Sequence, residues 1–301
     1  MRKVSIVIFA VLFIISTAIL IWFYDWSNDD GVDPEYAVAV FEQEIVTRQF
    51  EFDTFDRLYF LNDRDPLTSF SKKTKILGAT PTLKIVNSNE YRVGITANAD
   101  VFDALKIATN DDSNDNRSTL IVTFSDKCYV PVHTDDSSYD YDTGLYADFD
   151  KFEVTVYAPI SSLFVDSKVI LDYQAPKCEK MHADFSHEGT EANIYDIDTA
   201  NFRLNCGGTS KITLSGKVKG ESKISAWHQT KIDASDLDTD TKDFYVSSSV
   251  LYGFSCIKHN GIFNIGLFTS MVQLTIAAIL YLPPAIWLIS FICCFRKKRA
   301  R

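Results

Sequence analysis

The sequence predicts an all-β fold, a parallel β-solenoid carried between an N-terminal and a C-terminal transmembrane helix. Three observations predict it. Apolar or small pairs at i, i+2 recur every 20 residues, as Ala192/Ile194, Ile212/Leu214, Ile232/Ala234 and Tyr252/Phe254. Long helical stripes are absent between about 50 and 260, where β-branched and alternating runs take their place. Two long apolar runs with basic flanks bracket all the rest.

Residues 1–24 contain the first run. Val4 to Tyr24 holds no charge, and about 20 apolar residues span a bilayer core as a helix. Arg2 and Lys3 precede it and Asp25, Asp29, Asp30 and Asp33 follow it, which places Met1 in the cytoplasm and Asp25 outside. The same run also fits a signal peptide, with Ser16, Thr17 and Ala18 as the cleavage region. Residues 25–49 read as a polar tether and a short helix, opening at Asp33-Pro34 and carrying Tyr36, Val40, Phe41 and Ile45 up to about Thr47.

Residues 50–260 form the β-solenoid. Phe152, Val154 and Val156 alternate with Glu153, Thr155 and Tyr157, and Thr119 to Phe124 is a β-branched run. A second 20-residue series, Leu204/Cys206, Ile224/Ala226 and Phe244/Val246, runs beside the first. Each pair faces one side of a strand, so stacked coils would set like on like. Gly189-Thr190 and Gly208-Thr209 mark turns. A β-sandwich also alternates, yet gives no reason for pairs at one fixed period. The period fades upstream, around the loops at 108–118 and 134–150.

The second run covers residues 265–295, with Pro283 and Pro284 kinking the expected helix. Residues 296–301 are a basic tail, Arg296, Lys297, Lys298, Arg299 and Arg301, which stops transfer and places the C-terminus in the cytoplasm. The ectodomain is then extracellular, periplasmic or lumenal.

Charge bounds the function. The 301 residues hold 30 Lys and Arg against 40 Asp and Glu, a net charge of −10. Seven of those 30 basic residues flank the apolar runs, which leaves 23 against 40 for the expected ectodomain, a net of −17. Such a domain repels nucleic acid, which needs a basic footprint, and attracts cations or basic partners. Four cysteines fall in it, Cys128, Cys178, Cys206 and Cys256. An even number in an exported domain suggests disulfides, with three connectivities open, while a free core thiol at Cys206 is the plainer alternative.

The stretch CGGTSKITLSGKVKGESKISAWHQTKIDASDL, Cys206 to Leu237, resembles the auto-transporter adhesin head, or GIN, domain family. The similar phrases are Gly208 through Gly216, Lys231 through Leu237 and, upstream, Val154 through Ser167. The resemblance spans roughly 50–257 and departs from the family in its low glycine content and long acidic loops. It implies a right-handed parallel β-solenoid at the cell envelope, and it brings no catalytic residue or known ligand.

Signals for chemistry are sparse. His133, His182, His187, His228 and His259 are scattered, and the sequence holds no H-E-x-x-H, G-x-S-x-G or P-loop motif. The acidic loop Thr134 to Asp150 offers Asp140 and Asp142 beside Gly144, oxygen ligands suited to calcium, though without the distal Glu of an EF-hand loop. A solvated loop is the plainer reading. Asn116-Arg117-Ser118 is a glycosylation sequon. The sequence therefore predicts a membrane-anchored envelope protein, not an enzyme, with no cofactor, that adheres to, binds or scaffolds a protein or glycan partner outside the cytoplasm. The alternatives are an accessory subunit of a membrane complex and a polysaccharide-acting enzyme with carboxylates converging in a groove.

Overall fold

In the computed structural model the described residues are 37–61, 72–112, 117–128, 130–131, 143–185, 189–240, 243–248 and 255–265. They are mostly strands. A single four-residue helical turn, Val101–Ala104, and a 3-10 turn at Asp126–Cys128 are the helical elements among them.

The strands Ile45–Glu51 and Phe152–Tyr157 both run antiparallel to Arg92–Asn98, on its two sides. Leu105–Asp112 and Arg117–Phe124 pair as an antiparallel hairpin. A smaller sheet places Ala37–Phe41 and Lys72–Ile76 parallel to Thr143–Phe149, on its two sides.

From residue 162 to residue 246 the strands pair in parallel. One ladder joins Thr82–Val86, Ile170–Gln174, the first half of Glu191–Cys206, Lys211–Val218, Lys231–Thr239 and Cys256–His259. A second joins Arg117–Phe124, Arg57–Phe60, Ser162–Val165, Lys177–Phe185, the second half of Glu191–Cys206, Ser222–Ala226 and Asp243–Val246. The apolar pairs of the sequence lie side by side here: Ala192 opposite Ile212 and Ile212 opposite Ile232, Leu204 opposite Ile224 and Ile224 opposite Phe244. Ile212, Leu214, Ile224, Ile232 and Leu204 are at most 2% exposed. Burying one such side chain stabilises the fold by about 1.5–3 kcal/mol.

The 16-residue strand Glu191–Cys206 serves both ladders because it bends. The register shifts between Ile194 and Ile197, and Asp196 between them has φ 60°. In the next strand Gly216 has φ 126°, and a Cβ there would run into the Ile197 carbonyl oxygen. A bulge with a residue in left-handed conformation turns a strand sharply. Before the strands of the first ladder stand buried hydroxyls. Ser210 Oγ accepts from the Thr190 amide at 3.2 Å and donates to the Gly207 carbonyl at 2.7 Å. Thr230 Oγ1 donates to the Trp227 carbonyl at 2.6 Å. Buried backbone groups at these corners thereby find partners without water.

This architecture corrects several expectations. The fold is all-β with a curled half-barrel sheet, and the right-handed parallel β-solenoid expected over 50–260 is not shown. Antiparallel pairs interrupt the parallel order: Arg92–Asn98 lies between two strands distant in sequence, Ile45–Glu51 and Phe152–Tyr157, and strands adjacent in sequence pair at Leu105–Asp112 with Arg117–Phe124 and at Cys256–His259 with Ile262–Ile265. The N-terminal and C-terminal transmembrane helices are not found among the described residues. Among the described residues no helix is long and apolar enough to cross a membrane. Ile265, where the second span was expected to begin, instead ends a β-strand, since an apolar run alone does not separate strand from helix. The localisation built on those helices, both termini cytoplasmic and the rest outside, falls with them. The bulk of both apolar runs, 4–24 and 266–295, lies outside the described residues. The helix expected from Asp33 to Thr47 is replaced by Ala37–Phe41 and Ile45–Glu51, both strands.

Candidate functional site

The second ladder presents its outward side chains in columns, because alternate residues of each strand face out and neighbouring strands are in register. One column runs Arg57, Ser162, His182, Arg203, Lys223. Two residues along each strand, a second column runs Tyr59, Phe164, Asp184, Asn205. Ser162 is the shortest member of its column and is buried. The dip above it opens a groove of about 480 Å³, with Lys180, Asn201 and Glu221 along its other side.

Tyr59 and Phe164 stack with ring centroids 4.6 Å apart and planes 18° from parallel. Phe164 meets the His182 ring edge-on at 5.1 Å. His182 Nε2 lies 3.4 Å from Asn205 Nδ2 and 4.0 Å from Asp184, and Asn205 donates to Asp184 at 3.0 Å. Burial holds the His182 imidazole below its ordinary value; Asp184 opposes that and Arg203 adds to it. The ring is therefore neutral at pH 7 and offers one donor and one acceptor. Lys223 Nζ lies 2.8 Å from Glu221, while Arg203 and Lys180 are exposed. Arg57, Lys180, Arg203 and Lys223 thus line the groove against one lining carboxylate, Glu221, in a chain of net charge −10. The polysaccharide-acting alternative calls for converging carboxylates; here Glu221 is tied to a lysine and Asp184 to an asparagine.

A smaller hollow lies on the antiparallel face. Thr47 and Thr96 share a hydrogen bond of 2.8 Å there, and Arg92 lies 4.5 Å over the Tyr157 ring.

The residues singled out by sequence fall elsewhere. Asp140 and Asp142, the calcium candidates, lie outside the described residues, as do His133, His187 and Asn116. Among the described residues no group of three or more His, Cys, Asp or Glu is placed to hold a metal. Cys128, Cys178, Cys206 and Cys256 are free thiols. Cys178 Sγ lies 3.3 Å from the Lys180 carbonyl and Cys128 Sγ 3.8 Å from the Ala104 carbonyl. Cys206 is fully buried between Phe185 and Ala226, and burial pushes its thiol far up. His228 sits in a turn at φ 55°, and His259 is buried with Nε2 3.1 Å from the Leu237 carbonyl. The groove was missed although His182, Arg203 and Lys223 fall at intervals close to the repeat. Reading the outward positions at that period, as the inward ones were read, finds three of its members.

No family model matches the chain, and the resemblance to the adhesin-head family therefore has no such match behind it. No curated protein matches it either. Solved structures similar to it include a candidate adhesin from Bacteroides fragilis, with a TM-score of 0.43 at 13% identity over 73% of this chain and 90% of that one. A candidate lipid-binding protein from Parabacteroides distasonis gives 0.39 at 12% identity over 66% and 77%. A candidate adhesin from Parabacteroides merdae gives 0.37 at 12% identity over 74% and 84%. At these scores none of the likenesses assigns a role to a residue of the groove.

Proposed function

We propose that this protein is a non-catalytic binding module of adhesive type, and that it holds an anionic partner, protein or glycan, in the groove over Ser162. The observation that carries the reading is the row of cationic side chains Arg57, Arg203 and Lys223 in one column of outward positions, with Lys180 beside it, in a chain that is acidic as a whole. Complementary charge steers encounter and sets specificity. The strands beneath are hydrogen-bonded on both sides, so the column is held on rigid backbone.

The test is retention of the full chain, in mild detergent, on anionic and neutral surfaces at low and at 0.5 M salt. Retention on the anionic surface that falls with salt, and is lost in the double variant Arg203→Glu, Lys223→Glu, supports the reading. Equal retention of wild type and double variant overturns it. Both changes are on exposed outward positions, so circular dichroism and thermal midpoint should match the wild type.

A further inference from the structure

We infer that the groove's ligand is an acidic polysaccharide, laid along the stacking direction so that it crosses successive strands. This rests on the reading of the groove as the binding face and adds the chemical class of what it holds.

Geometry gives the direction. Neighbouring strands lie about 4.8 Å apart, so Arg57, Ser162, His182, Arg203 and Lys223 cover roughly 19 Å from end to end. Arg57 at one end of this line and Arg203 and Lys223 at the other carry its charge, at right angles to the strands, which suits a chain carrying acidic groups at intervals. A single small anion has no use for so long a row.

The face itself argues for sugar over peptide. An extended acidic peptide gains its affinity by adding to a free sheet edge through main-chain hydrogen bonds. No edge is free here: Ser162–Val165 and Lys177–Phe185 each have a parallel neighbour on both sides. A peptide lying across them would leave its own amides and carbonyls to water. Sugar hydroxyls both donate and accept, and so do the groove's polar members, Ser162, Asn201 and the neutral His182. The Tyr59 and Phe164 stack forms an apolar wall against which the C–H faces of a sugar ring can lie.

The experiment measures binding of the full chain in detergent to polygalacturonate, dextran sulfate, neutral dextran and poly-glutamate. The inference expects saturable binding to one or both charged polysaccharides and none to neutral dextran. It expects Arg203→Ser with Lys223→Ser to weaken that binding by about tenfold. Phe164→Ala, which removes the wall and no charge, should weaken the polysaccharide and leave any poly-glutamate binding unchanged. Poly-glutamate bound as tightly as the polysaccharides, with the same sensitivity to the serine variants, overturns the polysaccharide class while the groove stands as the binding face. If charged polysaccharides bind but the serine variants do not weaken them, the groove itself is wrong and both readings fall.

Discussion

Residues 162–259 and residues 37–160 solve the same problem, filling the inside of a curled sheet, in two ways. The later region stacks aliphatic side chains on copies of themselves about 20 residues away, such as Ile212 on Ile232 and Leu204 on Ile224. The earlier region fills its interior with rings. Phe152 lies 6.1 Å from Phe60, 6.4 Å from Phe124 and 5.4 Å from Phe149, and Phe41 stacks on Phe124 at 6.1 Å. The regular stack is mostly aliphatic, and its buried rings, Tyr173, Phe185 and Phe202, each face a smaller side chain on the next strand, Ile194, Cys206 and Ser222. Where antiparallel and parallel strands meet at uneven intervals, larger rings fill the uneven space. Repetition makes the later region additive, while the earlier one depends on a few central residues.

The largest effect is therefore expected from Phe152→Ala, about 3–5 kcal/mol by denaturant unfolding, against about 2–4 for Ile224→Ala. Equal losses would remove the contrast between the regions. Hydrogen exchange should also differ. Phe152→Ala should release amides in Arg57–Phe60, Arg117–Phe124 and Thr143–Phe149 together, and Ile224→Ala mainly those of the adjoining strands.

Gly216→Ala comes next, at about 1–3 kcal/mol from the left-handed conformation alone, with a further loss because its Cβ would meet the Ile197 backbone. Gly94→Ala is the control in the earlier region: a Cβ at Gly94 meets nothing within 4 Å, and stability should hold within about 0.5 kcal/mol. A Gly94 loss as large as that of Gly216 would show that the bend has no special demand for glycine.

The smallest effect is a pH dependence. The folded pKa of His182 is lowered from 6.5, so between that lowered value and 6.5 the unfolded chain binds more protons. The stability is present above 6.5 and is lost as pH falls through that window. His182→Gln should flatten the dependence there in thermal melts across pH 5–7. Asp184 and Arg203 both act on this ring, so Asp184→Asn should deepen the shift. An unchanged pH profile in His182→Gln would assign the acid loss to other groups.

How much of this was legible follows from the same contrast. The pairs at 192–246 could be read because parallel stacking turns a spatial neighbour into a fixed interval along the chain. Upstream, neighbours obey no shared interval: Val154 faces Leu83, Leu58 faces Leu120, and Arg48 faces Ile95. Ile232 shows where the period slips, since its partner is Ile257 rather than Tyr252. The short helix was misread because Tyr36, Val40 and Phe41 satisfy a helical spacing while Ala37, Ala39 and Phe41 satisfy a strand one, and pairing with Leu145, Ala147 and Phe149 decides for the strand. Part of the groove was hidden for another reason. Arg57 and Tyr59 reach it from more than 100 residues away, through a pairing with Ser162 and Phe164 that nothing local announces.

Cys206 gives the molecule a clock of its own. Its thiol is sealed in the middle of the stack, with Leu204 and Ile224 beside it, and it is held in the unreactive protonated form. Cys128, Cys178 and Cys256 are each partly exposed. Of the four cysteines among the described residues, an alkylating reagent should mark those three first and Cys206 last, at the rate at which the strand peels away. The delay between the two waves then times how long the stack stays shut, with no label added and no residue changed.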